Sequence, residues 1–279
     1  MLSAPDPGRA LDPALTNRNL ELANSLREPT LRSAIAALQL APGSAGLDVG
    51  CGIGLQALLL AEATGPDGSV TGLDLSPELL RHARGKVRSS KLAERIDFRE
   101  GDMRRLPFPD DAFDWAWSVD CVGYPCGELL PVLRELARVV RPEGTVAILG
   151  WTSQQLLPGH TMLEARLNAT CSAYAPVLEG ARPESLFPRA LRWFWQAGLT
   201  DAASRTFVGE VQAPLGDEPR ASLASLMEML WGTAQPGASE ADRVEYGRLC
   251  RPESKDFILD LPEYCAFFTY SMFSGRVSK

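Results

Sequence analysis

The sequence is poor in lysine, with only Lys86, Lys91, Lys255 and Lys279 in a chain of 279 residues. The formal net charge is −7, and no basic block is present that could follow a phosphate backbone. Apolar runs of membrane-spanning length are absent, and the first residues lack the charged-then-apolar layout of a signal peptide. We therefore expect no nucleic-acid partner, no membrane span and a cytoplasmic location.

Histidine is also scarce, and the six cysteines are dispersed without any C-x-x-C pair. This spacing indicates neither a disulfide framework nor a zinc site, so we predict no metal centre and mostly buried, reduced thiols. With 45% hydrophobic and 23% charged residues, the chain has an ordinary globular composition and is long enough to bury a large core.

What the sequence does contain is a regular alternation of strand and helix patterns up to Trp151. Five short apolar segments, "AGLDVG", "SVTGLDL", "RIDFREGD", "FDWAWSVDCV" and "TVAILGW", read as strands. Helical patterns, among them "LQALLLAEA" and "PELLRHARGKVRSS", separate several of them, and "RPEG" reads as a turn. This alternation predicts a parallel sheet with right-handed crossovers, whose ligand lies beyond the carboxyl ends of the strands.

The regions on either side of this core do not show the strand–helix alternation. Residues 1–40 are predicted to form an arm followed by one or two cap helices, broken at Pro29. Residues 41–151 form the predicted cofactor-binding core, and 152–279 complete the sheet and add helical inserts over the pocket. We expect these three parts to make one structural domain.

A glycine-rich turn follows the first strand in "LDVGCGIG", at Gly50, Gly52 and Gly54. A strand, a glycine turn and a helix N-terminus together cradle a polar ligand, because free N–H groups and the helix dipole meet there. The turn also satisfies the loose dinucleotide pattern G-x-G-x-x-A, so a nicotinamide or flavin protein stays possible.

Three carboxylates narrow the choice of ligand. Asp74 ends the second strand 20 residues after Gly54, where a carboxylate can bind both hydroxyls of a ribose. Asp102 ends the third strand, where a carboxylate can accept from an adenine amino group while Met103 covers the ring. Asp48 lies beside the turn, where it would repel a pyrophosphate but suit a positively charged ligand.

The motifs "LDVGCGIG", "GLDLSPELL", "EGDMRRLPFPDDAFDWAWS" and "LRELARVVRPEG" resemble those of class I S-adenosylmethionine-dependent methyltransferases, in particular the small-molecule branch similar to ubiquinone and menaquinone biosynthesis enzymes. The resemblance covers about residues 28–151. It implies that S-adenosyl-L-methionine is the cofactor and that its binding site includes the following residues. These are Asp48, Gly50, Gly52, Gly54, Asp74, Leu75, Asp102, Met103 and Ser118.

The resemblance also implies the fold class. This is an α/β, Rossmann-like, seven-stranded, mostly parallel sheet of order 3-2-1-4-5-7-6, flanked by helices and with the last strand antiparallel. The segment "YCAFFTYSMFSGRV" would be that last strand, between strands five and six. One departure from the family is Glu143 in "RPEG", where a second glycine is usual.

The acceptor is expected to be a small, partly apolar molecule, since the inserts are rich in Leu, Met, Trp and Phe and "SVDCVGYP" lacks the signature of enzymes that methylate base amines. Candidate catalytic residues are Asp120 and Tyr124, just past the fourth strand, and His160 past the fifth. Trp151, Tyr174 and Trp231 are the predicted apolar contacts of the acceptor.

Other functions stay open. Cys121, with Cys126 and Cys171, could bind a trivalent metalloid as in arsenite methyltransferases, whose core is similar. A relative that keeps the cofactor without methylating, such as a cyclase, is a second possibility, because a fold does not settle function. A nicotinamide oxidoreductase is a third, although Asp48 and the Asp102 motif disfavour it.

Overall fold

The computed structural model describes residues 13–124, 129–170, 186–232 and 238–278. Its centre is a seven-stranded sheet of order β3-β2-β1-β4-β5-β7-β6. β1, β2, β3, β4 and β5 pair in parallel, whereas β7 runs antiparallel to both of its neighbours. The predicted fold class and strand order are confirmed. In chain order the strands are β1 (Ala45–Val49), β2 (Ser69–Asp74), β3 (Ile96–Glu100), β4 (Phe113–Val119), β5 (Val140–Gln155), β6 (Leu199–Gln212) and β7 (Cys265–Val277).

Helices cover both faces of this sheet and bury two apolar clusters. They are α1 (Pro13–Leu38), α2 (Leu55–Ala63), α3 (Pro77–Arg88), α4 (Leu129–Val139), α5 (Thr161–Thr170), α6 (Ala190–Gln196), α7 (Asp217–Trp231) and α8 (Glu240–Cys250). Successive side chains of a strand point to opposite faces of the sheet. On one face, Leu47 and Val49 of β1 belong to the cluster beneath α4. On the other face, Trp117 of the neighbouring β4 belongs to the cluster beneath α1, α2 and α3.

The second βα unit begins as its sequence predicts. Ser76 is the N-cap of α3 and its side chain accepts from Leu79 N at 3.3 Å, while Pro77 occupies the first helical position. A cap satisfies one of the free N–H groups of the first turn, and the fixed φ of proline suits that position. The carboxyl end of β2 therefore passes directly into a helix.

Two local predictions were wrong. Pro29 does not break the first helix, since α1 runs through it as one helix. Proline costs one backbone hydrogen bond there, and burial of Leu31, Ala34 and Ile35 offsets it. The segment "RPEG" is not a separate turn but lies inside β5, where residues 141–144 bulge out between two registers with β4.

The two cap regions meet over the carboxyl ends of β4 and β5. α1 packs on α7, and Ser222 of α7 donates to Leu22 O at 2.6 Å and shares a 2.9 Å hydrogen bond with Ser25 of α1. The N-terminal and C-terminal segments thereby form one roof. In the part of the chain described, none of the helices has both the length and the apolar content to cross a membrane.

Candidate active site

The glycine turn joins β1 to α2, and its backbone is left-handed. φ is 73° at Gly50, 52° at Gly52 and 77° at Gly54, a region that side-chain-bearing residues rarely adopt. At Gly50 space is short as well, because an added Cβ would lie 2.3 Å from the Cys121 sulfur. The turn is thus held against the loop after β4.

Asp74 ties the end of β2 to this turn. Its Oδ2 accepts from Gly52 N at 2.9 Å and its Oδ1 accepts from Ser76 N at 2.9 Å. Each oxygen retains a further lone pair, since a carboxylate offers about four acceptor positions. The next residue, Leu75, is 57% exposed, which is unusual for an apolar side chain beside a buried turn. An acceptor carboxylate and an apolar surface are therefore adjacent here.

Asp48 is a buried carboxylate without a counter-ion among the described residues. It is 2% exposed, and its Oδ2 lacks any hydrogen-bond partner. Burial, together with the negative charge of Asp74, raises its pKa to about 8. Trp117, its register partner on β4, has a buried indole N–H that also finds no partner in the part of the chain that the structure describes. Such unsatisfied groups are costly, and a cationic, hydrogen-bonding ligand would satisfy the carboxylate.

Asp102 and Met103 follow the end of β3, beside the end of β2. Gly101 N donates to Asp74 O at 3.1 Å, which holds the two strand ends together. Both oxygens of Asp102 accept from the Arg104 side chain at 2.8–3.1 Å, and this guanidinium lowers the Asp102 pKa. Met103 is half-buried against the core cluster beneath α4. The predicted adenine-binding pair lies at the expected edge of the sheet.

Ser118 lies in β4 and is buried, and it organises the loop after that strand. Its Oγ accepts from Val122 N at 3.3 Å. Burial, followed by the charges of Asp74 and Asp48, raises the pKa of the adjacent Cys121 thiol to about 11. This shift disfavours the thiolate form that a metal or metalloid ligand requires. Cys126 and Cys171 lie outside the described residues.

A cavity of about 310 Å³ opens beneath the roof of α1 and α7. Two of its lining residues were predicted catalytic residues, Asp120 and Tyr124, and Trp151 was a predicted acceptor contact. The complete lining is Ala23, Leu26, Arg27, Asp120, Tyr124, Trp151, Ser222, Ser225, Leu226, Met229, Leu230 and Tyr270. A mostly apolar concave site with a few converging polar groups is typical of small-molecule binding.

Asp120 is the centre of the polar groups in this cavity. Its Oδ1 accepts from Trp151 N at 2.9 Å, and its Oδ2 accepts from Arg27 Nη1 at 3.2 Å and from the Tyr270 hydroxyl at 2.8 Å. Burial raises the Asp120 pKa, and the Arg27 charge opposes that shift. Its φ of 48° is left-handed, a strained conformation that clusters at functional sites.

The remaining candidates lie elsewhere. His160 lines a separate cavity with Arg166 and Glu245, so the structure does not bring it together with Asp120. Trp231 is buried and donates to Asn168 at 3.0 Å, and it is not among the residues lining the Asp120 cavity. Tyr174 falls outside the described residues. Among those described, no group of three or more His, Cys, Asp or Glu side chains could bind a metal ion.

Arg27 and Tyr270 were missed by the sequence interpretation. They are separated from Asp120 by 93 and 150 residues and reach it only because α1 and β7 flank the same strand ends. The one available signal was the charged Arg27 within the apolar helical pattern "LELANSLREPTL".

Comparison with known proteins places a methyltransferase domain model on residues 47–144. Methyltransferase GfsG from Streptomyces halstedii is 40% identical over 111 residues, which are 40% of this chain and 39% of the relative. Demethylmenaquinone methyltransferase from Listeria welshimeri is 32% identical over 152 residues, 53% of this chain and 62% of the relative. The chain thus covers less than two thirds of either curated relative. The fold of this chain is similar to that of a SAM-dependent methyltransferase from Aquifex aeolicus, with a TM-score of 0.50 and 19% identity. The match covers 94% of this chain and 98% of that structure.

Proposed function

We propose that this chain, whose residues 47–144 match a methyltransferase domain model, transfers a methyl group from S-adenosyl-L-methionine to a small, partly apolar molecule. The cofactor would lie over the glycine turn, and the acceptor would occupy the cavity beneath α1 and α7. Neither nucleic acid nor a membrane span is part of this proposal.

The observation that carries the proposal is the position of the loop after β4. Asp120 lines the cavity, while the next residue, Cys121, lies against Gly50 of the turn. One short loop therefore separates the expected cofactor site from the expected acceptor site. Methyl transfer requires this adjacency, because the protein contributes mainly proximity and alignment.

The residues around the turn fit the proposed cofactor. Asp74 retains lone pairs for ribose hydroxyls, exposed Leu75 provides an apolar surface for the adenine, and Asp48 is a buried carboxylate in need of a positive charge. Asp102, Met103 and Ser118 complete the site. When bound, S-adenosyl-L-methionine supplies a methyl group that its sulfonium already activates.

The chain's own residues would bind, orient and deprotonate the acceptor. Asp120 is the carboxylate that lines the cavity. Arg27 and Tyr270 fix it through hydrogen bonds of 3.2 and 2.8 Å to Oδ2. The apolar walls from Leu26, Leu226 and Leu230 exclude water, which strengthens these polar interactions. Tyr124 contacts Phe187 edge-on and forms part of the wall.

Calorimetry tests the proposal directly. We expect S-adenosyl-L-methionine and S-adenosyl-L-homocysteine to bind and NAD not to bind. Asp74→Ala should weaken S-adenosyl-L-homocysteine binding by about 100-fold, the equivalent of two hydrogen bonds to a charged group. Asp97→Ala is the matched control, because Asp97 is an exposed carboxylate on the neighbouring strand. Binding of NAD in place of both adenosyl compounds would overturn the proposal.

A further inference from the structure

We propose that the methyl acceptor binds in its neutral form and presents a hydroxyl group to Asp120 and Tyr270, and that Arg27 sets this preference. The inference rests on the proposed function and adds the chemical class of the acceptor. It depends on two features of the cavity, its balanced charge and its remaining hydrogen-bonding capacity.

The cavity has charged groups of both signs that cancel each other. Among its described lining residues, Arg27 and Asp120 are the two charged side chains, and their ion pair is 3.2 Å long. Their side chains are only 14% and 21% exposed. A carboxylate or ammonium ligand would add an unbalanced charge to this apolar, desolvated space, which is strongly unfavourable. A neutral ligand leaves the pair intact.

The polar groups can accept further hydrogen bonds. Asp120 accepts three, from Trp151 N, Arg27 and Tyr270, which leaves one of about four acceptor positions of a carboxylate. The Tyr270 hydroxyl has used its single hydrogen on Asp120, so its oxygen can only accept. The cavity also offers a donor, because the buried Arg27 Nε–H has no partner among the described residues. A group that both donates and accepts therefore matches all three side chains. A neutral group that donates and can lose a proton on methylation is a hydroxyl, since an aliphatic amine would be an ammonium at neutral pH.

The proton balance agrees with this assignment. As the acceptor oxygen forms its bond to the methyl group, the sulfur–methyl bond breaks and the hydroxyl proton passes to Asp120. Asp120 then becomes neutral, and the positive charge lost at sulfur is balanced by the proton gained. No further reactant is required. Arg27 is a positioning residue in this scheme, since it acts on the acceptor through Asp120.

The rest of the acceptor must be apolar. Leu26, Leu226 and Leu230 line the cavity, and Met229 lines it while 56% exposed, which puts Met229 at the mouth. An apolar molecule with a single hydroxyl group matches such walls, because burial of its apolar surface is favourable in proportion to the area buried.

Four naphthalene derivatives test the charge and the donor separately. They are 2-naphthol, 2-methoxynaphthalene, 2-naphthoate and 2-naphthylmethylammonium, each titrated into the full chain saturated with S-adenosyl-L-homocysteine. We expect 2-naphthol to bind at least about tenfold more tightly than the other three, as one hydrogen bond to a carboxylate predicts. Tightest binding of either ion, equal binding of the methyl ether, or no binding of 2-naphthol would overturn the inference.

Two variants connect the preference to the named residues. Arg27→Met should abolish discrimination against 2-naphthylmethylammonium, because Asp120 would then have no cationic partner. Tyr270→Phe should reduce the preference for 2-naphthol over its methyl ether by about fivefold and leave the discrimination against ions intact. If Arg27→Met fails to fold, Tyr270→Phe still tests the donor preference, and unchanged selectivity in a folded variant would contradict the assignment.

Matched controls exist for both variants. Arg32→Met removes an exposed arginine of the same helix, and Tyr264→Phe removes a buried hydroxyl that bonds to Leu156 O outside the cavity. Both controls should keep the wild-type order of the four probes. Failure of S-adenosyl-L-homocysteine to bind wild-type protein would refute the proposed function. A wrong probe order with normal S-adenosyl-L-homocysteine binding would refute this inference alone.

Discussion

Two buried carboxylates lie at the carboxyl ends of adjacent strands, and their surroundings are opposite. Asp48 on β1 has an oxygen without any described partner, and its pKa is raised to about 8. Asp120 after β4 accepts hydrogen bonds from Arg27, Tyr270 and Trp151 N. The chain therefore gives Asp120 a cationic partner and gives Asp48 none among the described residues.

This difference indicates what each site binds. A buried carboxyl without a counter-ion keeps its proton up to about pH 8, and a cationic ligand such as the adenosyl sulfonium would stabilise its ionised form. A balanced ion pair gains nothing from a further charge, so its ligand should be neutral. We therefore expect the two sites to differ in the charge of their ligands although one loop separates them.

The largest expected effect is that removing the charge of Asp48 or of Asp120 changes the binding of a different ligand in each case. At pH 8.5, where Asp48 is mostly ionised, Asp48→Asn should weaken S-adenosyl-L-methionine binding by about 30-fold, since a charge-assisted interaction is lost. Asp120→Asn should change that affinity by less than about threefold but remove the preference for 2-naphthol. Calorimetry with S-adenosyl-L-methionine, 2-naphthol and 2-methoxynaphthalene measures the cofactor affinity and the probe preference of each variant. Equal losses of cofactor affinity in the two variants would show that the sites are not independent.

The second effect concerns stability and pH. The folded-state pKa of Asp48, about 8, is higher than the unfolded value near 4, so the native state holds a proton that the unfolded state releases. The wild-type chain therefore loses stability as pH rises from about 4 to about 8. Asparagine does not titrate, so Asp48→Asn avoids this loss of stability. At pH 9 the variant should be more stable than wild type by on the order of 2 kcal/mol or more.

Urea unfolding at pH 5, 7 and 9 measures this difference. It should grow with pH and level off above about 8, where Asp48 is ionised in both states. Asp120→Asn provides the contrast, because it leaves the buried Arg27 without its carboxylate and should destabilise the chain. A constant difference between wild type and Asp48→Asn at all three pH values would mean that Asp48 does not titrate in this range.

A third prediction concerns the apolar surface on the cofactor side. Leu75 is 57% exposed, so Leu75→Ser should leave the melting temperature almost unchanged. It should nevertheless weaken S-adenosyl-L-homocysteine binding by about fivefold to tenfold, the cost of uncovering part of a leucine side chain. Val208→Ser is the control, because Val208 is 63% exposed on the edge strand β6. If the two variants bound S-adenosyl-L-homocysteine with similar affinity, Leu75 would not contact the cofactor.

Most of the fold could be predicted from the sequence, because the strands and helices of the core are set by local patterns. "LQALLLAEA" is α2 residue for residue, and Ser76 caps α3 as its sequence indicates. The errors at Pro29 and "RPEG" have different causes. At Pro29 the burial of neighbouring residues outweighs the helix-breaking preference of proline. At "RPEG" the turn-forming residues keep their preference as a bulge with φ of 65° at Glu143, and the strand continues on both sides of it.

The two halves of the site differed in how far they could be predicted. The cofactor side is local, since Asp48, the glycines and Asp74 lie within two βα units, and their spacing alone suggested a site. The acceptor side is assembled by contacts over long distances in sequence, and no local pattern connects Arg27 or Tyr270 with Asp120. His160 illustrates the limit, because its position after β5 suggested the acceptor cavity and the structure puts it in another.

The smallest predicted effect compares Asp120 with Glu143, which has a similar backbone conformation but lies outside the cavity. Glu143 and Asp120 are both left-handed, with φ of 65° and 48°, where glycine is favoured. Glu143 lies in the bulge of β5, and its carbonyl accepts from Arg276 at 2.8 Å, a bond that glycine would keep. Glu143→Gly should therefore raise stability by about 0.5–1 kcal/mol and leave the binding of all ligands unchanged.

Asp120→Gly relieves the same type of strain but should have the opposite outcome. It removes the partner of Arg27 and Tyr270, so we expect net destabilisation and loss of the preference for 2-naphthol. Thermal unfolding of the two variants measures both effects. If glycine stabilised position 120 as it does position 143, the Asp120 carboxylate would contribute nothing to the ion pair that balances the cavity, since strain alone would then decide its energy.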